Sequence, residues 1–268
     1  MEKQDKNLSS IQKAFLLLDC FSEQNKPMSL QELSDTLTYP KSTVHHILSE
    51  LRRQQVIEQE PETGKYYMGI RLFNLGNAIR KSLDIFDVAT PYMRQLCNTA
   101  HESVHLTKLS CLKLTIIHKF EPAENPLRIV LNIGVDMPMH ATSHGKVTLA
   151  HLSEYQVKAI LDNSPLKSFT AKTITSADKL MRQLVEIRAR SYAVDDGERH
   201  IGLHSVASPV FDGSGSVVYG VGCVGMFNSV ENPRFAVAIQ TTVETAAKIS
   251  SKLGYRKPWS EVRTGSKP

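Results

Sequence analysis

Apolar residues recur at helical spacing in three successive stretches near the N-terminus. Ile11, Ala14, Phe15, Leu18 and Phe21 make one stripe, and Leu30, Leu33 and Leu37 a second. Val44, Ile47, Leu48 and Leu51 follow at i, i+3, i+4 and i+7, so a third helix buries one face. That helix is predicted to begin near Pro40, because a fixed φ and a missing N–H suit the first helical turn. Two extended runs come next, residues 56–60 and 65–68, on either side of the turn Pro61-Glu62-Thr63-Gly64. Three short helices and a hairpin are the layout of a winged helix-turn-helix, here residues 8–70.

The next stretch, 71–100, reads as linker helices: Leu72, Leu75, Ile79 and Leu83 recur at helical spacing, a break follows near Asp84, and a second helix runs through Met93, Leu96 and Ala100. From 101 the pattern changes. Residues 104–109, 114–118 and 127–131 are β-rich, 143–162 and 176–191 helical, 206–211 and 217–224 extended again, and a last helix spans about 233–253. Strands and helices mixed in this way predict an α+β domain over 101–256, for which a sensor of the GAF/PAS kind is one solution.

The third helix carries the first chemical signal. Turning Val44, Ile47, Leu48 and Leu51 inward leaves Lys41, Ser42, Thr43, His45, His46 and Arg52 on the other faces. Hydroxyl donors and cations gathered toward a helix N-terminus suit contact with phosphates and base edges of double-stranded DNA. In the wing, Lys65 and Tyr66 are placed to reach the backbone or minor groove. The competing reading is a packing or protein-interaction module, and charge keeps it open. The 268-residue chain is +5 overall, but residues 1–70 hold eight Lys/Arg against ten Asp/Glu and are formally −2. DNA affinity would then rest on local placement and on two copies acting together.

Composition narrows the class. With 41% hydrophobic and 22% charged residues the chain is an ordinary globular protein. No apolar run approaches the ~18 residues of a membrane span, and the polar start lacks a signal-peptide core. Cys20, Cys97, Cys111 and Cys223 are scattered without a close pair, which fits a reducing cytoplasm.

Three short matches suggest other chemistry. His101-Glu102-Ser103-Val104-His105 fits H-E-x-x-H, so a metal-dependent hydrolase is an alternative. That chemistry needs both imidazoles on one face of a continuous helix, whereas His105 opens an alternating strand with Thr107 and Leu109. His140 and His144 are four apart, but a strand-to-helix turn lies between them. Gly220-Val221-Gly222-Cys223-Val224-Gly225 fits G-x-G-x-x-G without a helix start at its last glycine, so these glycines are expected to let a core strand approach another backbone or a ligand. No metal and no cofactor are expected.

Three passages together resemble the isocitrate lyase regulator (IclR) family of bacterial transcription factors, over residues 8–256. They are Pro40-Lys41-Ser42-Thr43-Val44-His45-His46-Ile47-Leu48; Met137-Pro138-Met139-His140-Ala141-Thr142-Ser143-His144-Gly145-Lys146-Val147, close to the family's P-x-H-A-T-S-x-G-K-A; and residues 192–199 with 202–212, close to D-D-x-E and G-x-x-x-x-A-x-P-V-F-D. The resemblance implies a homodimer or homotetramer on a pseudo-palindromic operator, with a small-molecule effector in the C-terminal domain. Family effector contacts carry over to Ile129, Met137, Ser143, His144, Asp195, Ser205, Gly222 and Val224. Thr142-Ser143-His144-Gly145 opens a helical run, and a helix N-terminus holds carboxylates through its free N–H groups, so an organic acid is the expected ligand. Two departures stand out. His46 occupies a position usually held by Arg, so that contact is weaker or protonation-sensitive. Gly222 and Val224 stand where members that bind small keto acids have hydroxyls, which points to a less polar or bulkier acid, aromatic or sugar-derived.

Overall fold

The computed structural model describes residues 8–82, 84–122 and 132–256. They form two compact units, divided between Leu83 and Asp84. The expected strand at 127–131 lies outside the described residues.

The first unit contains α1 (Ser10–Gln24), α2 (Leu30–Leu37), α3 (Lys41–Arg53), the strands β1 (Ile57–Gln59) and β2 (Tyr66–Met68), and α4 (Ile70–Ser82). Ser9 and Ser29 start the first two helices with reciprocal capping boxes to Gln12 and Glu32. Pro40 sits just outside α3 as its N-cap, with ψ at 139°, rather than in the first turn. Leu17, Phe21, Leu33, Val44, Leu48 and Ile57 form the core. Ile11 and Phe15 do not join it: α1 buries the expected Phe21 together with Leu17 and Cys20, packs Ala14 and Leu18 against them, and leaves Ile11 and Phe15 exposed. The stripe read from sequence is thus rotated, because helical spacing leaves a choice of faces that only the partner helices settle.

In the second unit, α5 (Ile85–Ala100) leads into β3 (Ser103–Ser110) and β4 (Lys113–Phe120). After these come α6 (Ser143–Ala150), α7 (Glu154–Asn163), α8 (Ala177–Arg190), β5 (Ala193–Asp196), β6 (His204–Phe211), β7 (Val217–Gly225) and α9 (Pro233–Lys252). The sheet runs β4-β3-β7-β6-β5, antiparallel throughout. One face packs α5 against α9; the other carries α6, which also contacts α8. The helix expected over 143–162 is two helices, because Ser153 caps the second with Gln156. The edge strand β5 escapes the pattern: its run Ala-Val-Asp-Asp is half acidic, and β6 supplies the hydrogen bonds that make it a strand.

All eight residues of α6 are buried, so it has no polar face for a periodicity search to find. Gly145 is where this helix meets the preceding strap. A Cβ there would lie 2.2 Å from Met139 Cα and 2.3 Å from its carbonyl oxygen. Helix propensity alone favours Gly145→Ala by about 1 kcal/mol. The clash is with backbone, and overpacking of this kind costs about 1–3 kcal/mol or more. Gly145→Ala is therefore expected to lower stability in chemical denaturation of the full chain; an unchanged or higher midpoint would show that the strap yields freely.

Candidate functional site

The α3 surface is built as its spacing requires. Val44, Ile47 and Leu48 are buried, Lys41, Ser42, His45, His46 and Arg52 are exposed, and Thr43 is half-buried. The Arg52 guanidinium donates to the Gln59 side chain, joining the end of α3 to the wing. Lys65 is half-buried beside the wing turn. Tyr66 corrects the sequence expectation. It is 7% exposed, packed in the winged-helix core, and its backbone exchanges hydrogen bonds with Met28 at 2.8 and 2.9 Å. Alternation along β2 sends Tyr67 the other way, where its hydroxyl donates to Glu58 at 3.1 Å.

A small cavity of about 50 Å³ lies in the second unit, between the sheet, the start of α6, residues 135–138 and residues 199–203. Strand pairing explains its floor. Ser103, Val224, Ser205 and Asp195 stand in one cross-strand row, and His105, Gly222, Ala207 and Ala193 in the next. Residues paired in this way share a sheet face, here the one under α6. Of the residues expected from family resemblance, Met137, His144, Asp195, Ser205 and Val224 line the pocket. Ser143 stands behind it, its hydroxyl 2.7 Å from that of Ser205. Ile129 lies outside the described residues.

Gly222, expected from family resemblance as an effector contact, does not line the pocket; as its strand glycines predict, it lets another backbone approach closely. A Cβ there would lie 2.2 Å from the Val206 carbonyl oxygen and 2.8 Å from His144 Cε1. The space is already filled by β6 and the His144 ring. The Gly-rich run is a sheet strand throughout: β7 continues to Gly225, where a Cβ would collide with the Glu102 carboxylate, and no helix begins before Pro233.

His144 is fully buried, and desolvation depresses its pKa to about 4, against the hydrogen bond of its ring to the His105 carbonyl at 3.3 Å. His105 falls to about 3, through burial and then the neighbouring His144 and Lys119. Both imidazoles are therefore neutral at physiological pH. Burial pushes the Asp195 carboxyl up to about 6, although it accepts the Glu198 N–H at 2.7 Å. Thr142 caps α6 by accepting from Gly145 N–H, and the N–H groups of Ser143 and His144 meet no acceptor among the described residues. Sequence reasoning missed His105, Arg199, His200 and Leu203 as pocket residues. The signal for His105 was present: a polar residue on the inward register of an apolar strand.

Behind the pocket, the Lys146 ammonium and Glu198 carboxylate form an ion pair, with side chains 0% and 8% exposed. Thr170 and Thr173 hold the same loop by donating to the Glu198 carbonyl. The two family motifs meet at this pair, which sequence spacing does not reveal. The H-E-x-x-H run is divided between elements: His101 is the exposed αL residue ending α5, Glu102 accepts from Arg234, and His105 lies inside the sheet. His140 bonds to the Lys167 carbonyl and stacks on Phe169, away from His144. No group of three potential metal ligands occurs among the described residues. None of the described helices is long and apolar enough to cross a membrane.

Removing one member of the buried pair leaves the other charge uncompensated, which costs about 3–5 kcal/mol. Lys146→Met should therefore destabilise the second unit by that order, and adding Glu198→Leu should recover much of the loss in a double-mutant cycle; additive losses would show the two charges to be independent. The histidines set an acid limit. A histidine whose folded pKa lies below its unfolded value near 6.5 favours folding only while neutral. Its full contribution is present above pH 6.5 and is lost as pH falls toward the folded values, about 3 for His105 and about 4 for His144 and His151. Asp195, raised from 3.8 to about 6, acts in the opposite sense over that window, as does Glu102, raised by burial, so the net uptake is below three. Unfolding should then take up about two protons between pH 4 and 6, a slope of order 2–3 kcal/mol per pH unit. Urea midpoints of the second unit should rise from pH 4 to 6.5 and level off above; a flat profile would contradict buried neutral imidazoles.

The sequence model of the bacterial transcriptional regulator IclR C-terminal domain matches residues 77–251, and that of the IclR helix-turn-helix domain matches residues 10–61. The HTH-type transcriptional regulator KdgR of Escherichia coli is 32% identical, over 95% of this chain and 96% of its own. The crystal structure of Thermotoga maritima IclR superposes with a TM-score of 0.75 at 28% identity, covering 92% of this chain and 99% of that one. The fold is also that of an IclR homologue from Microbacterium hydrocarbonoxydans complexed with 4-hydroxybenzoate, with a TM-score of 0.80 at 21% identity over 91% and 99% of the two chains. On the strength of both domain matches, this chain belongs to the IclR family of bacterial transcriptional regulators.

Proposed function

We propose that this regulator binds operator DNA through α3 and the wing as a homo-oligomer, and that a carboxylic acid in the α6 pocket shifts its operator affinity. The observation that carries the reading is the first turn of α6, where the backbone N–H groups of Ser143 and His144 meet no acceptor among the described residues and Thr142 and His144 line the pocket. Helix N-termini favour anions through those donors and the macrodipole, and neutral imidazoles beside them add hydrogen-bonding capacity without repelling an acid. That a homologue of this fold holds 4-hydroxybenzoate agrees with an organic acid as ligand.

For DNA, Lys41, Ser42, Thr43, His45, His46 and Arg52 are the proposed contacts, with Lys65 from the wing. A segment of formal charge −2 binds weakly as a single copy. Exposed Phe15 on α1, and Ile70, Phe73 and Leu75 on α4, supply apolar surface for a second copy in the cytoplasm. Two copies would read two half-sites. Coupling is by linkage: an acid that favours one arrangement shifts operator affinity by its differential binding energy, typically about 1–3 kcal/mol.

The test is fluorescence anisotropy of the full chain on its own upstream DNA, with salt steps and a panel of organic acids, alongside sedimentation velocity. Sequence-selective, salt-dependent binding by a dimer or tetramer, shifted by one acid, is the expected result. Lys41→Ala with Arg52→Ala should weaken binding and lower the log–log salt slope by about one per lost phosphate contact. An unchanged slope would move the interface off α3.

A further inference from the structure

The imidazole of His105 is 1% exposed, lines the pocket, and has no hydrogen-bond partner on either ring nitrogen among the described residues. A neutral imidazole carries one N–H donor and one bare nitrogen acceptor. Leaving both unmet in a buried site is costly, so such a group in a native fold calls for a partner. Its neighbours do not supply one. His144 lies 6.3 Å away, ring centre to ring centre, and its Nε2 is turned to the backbone carbonyl of His105. Across the strand pair stands Gly222, which has no side chain to offer.

A hydroxyl meets one half of this requirement whichever nitrogen it reaches, since it can accept from the N–H or donate to the bare nitrogen. The first turn of α6 presents a different demand: the N–H groups of Ser143 and His144 meet no acceptor among the described residues and suit a carboxylate. We infer that the effector is a hydroxylated carboxylic acid, its carboxylate on the first turn of α6 and a hydroxyl on His105, which makes His105 the specificity-determining residue. The inference rests on the acid-sensing reading above and narrows it. It also revises the sequence expectation of a less polar ligand: β7 loses hydroxyls at Gly222 and Val224, but β3 returns a polar group directly opposite Gly222.

The experiment is calorimetric titration of the full-length protein with matched acids: butyrate against 3- and 4-hydroxybutyrate, and benzoate against 3- and 4-hydroxybenzoate. One hydroxylated acid should bind at least about tenfold tighter than its parent, because the parent leaves a buried donor or acceptor unmet. In His105→Phe, which keeps a ring and removes both nitrogens, that preference should fall to within about threefold through loss of the hydroxylated acid alone. His105→Gln keeps a donor and an acceptor and should retain part of the preference; with the wild-type titrations it decides the matter if the Phe variant does not fold. Equal binding within every wild-type pair would mean that water satisfies His105 and would overturn the inference while leaving acid sensing intact. A preference undiminished in His105→Phe would overturn the role of His105. Failure of all these acids to bind would overturn both readings.

Discussion

The sensor unit is organised around the ion pair between Lys146 and Glu198. Taking two charges out of water costs several kcal/mol per ion, and only close mutual approach and further hydrogen bonds offset it. That requirement fixes the elements carrying the charges. Lys146 lies on α6, whose every residue is buried, so the pair sets the helix's rotation and depth against the sheet. Glu198 lies in the loop after β5; its N–H is held by Asp195, and its carbonyl by Thr170 and Thr173. A shift of either partner would expose an unpaired charge in the interior.

The pocket follows from this arrangement. With α6 fixed over the sheet, its first turn meets the cross-strand rows through Asp195, Ser205, Val224 and His105. Close backbone approach does the rest: Gly145 lets α6 sit on the strap at Met139, and Gly222 lets His144 and β6 close over β7. The cavity that remains is small, with neutral imidazoles on its floor. Low polarity there strengthens any hydrogen bond a ligand makes and raises the cost of one left unmade.

Where sequence and structure part, the reason is the same at each position. Ile11 and Phe15 carry the helical period of α1, yet Leu17, Cys20 and Phe21 are what the neighbouring helices cover. Tyr66 and Tyr67 are adjacent aromatics in the wing, and strand alternation sends the first into the core through its pairing with Met28. The acidic strand β5 is made by β6 rather than by its own residues. His105 belonged to a motif that suggests metal chemistry, and only the sheet shows it as a pocket residue with no hydrogen-bond partner among the described residues.

What the sequence determined by itself was local and periodic: the third helix and its exposed cations, the hairpin, most of the other helices and strands but not β5, and the motifs that carry the family resemblance. These depend on spacing along the chain and on capping residues, both of which are written in one dimension. The tertiary structure alone decided which face of α1 is buried, that Lys146 and Glu198 neutralise each other across 52 positions, and that Gly222 makes room for a ring rather than for a ligand. Burial, desolvation and pairing of charges depend on what lies opposite a residue in space. Residues far apart in the chain supply that neighbour, and no pattern along the chain names it.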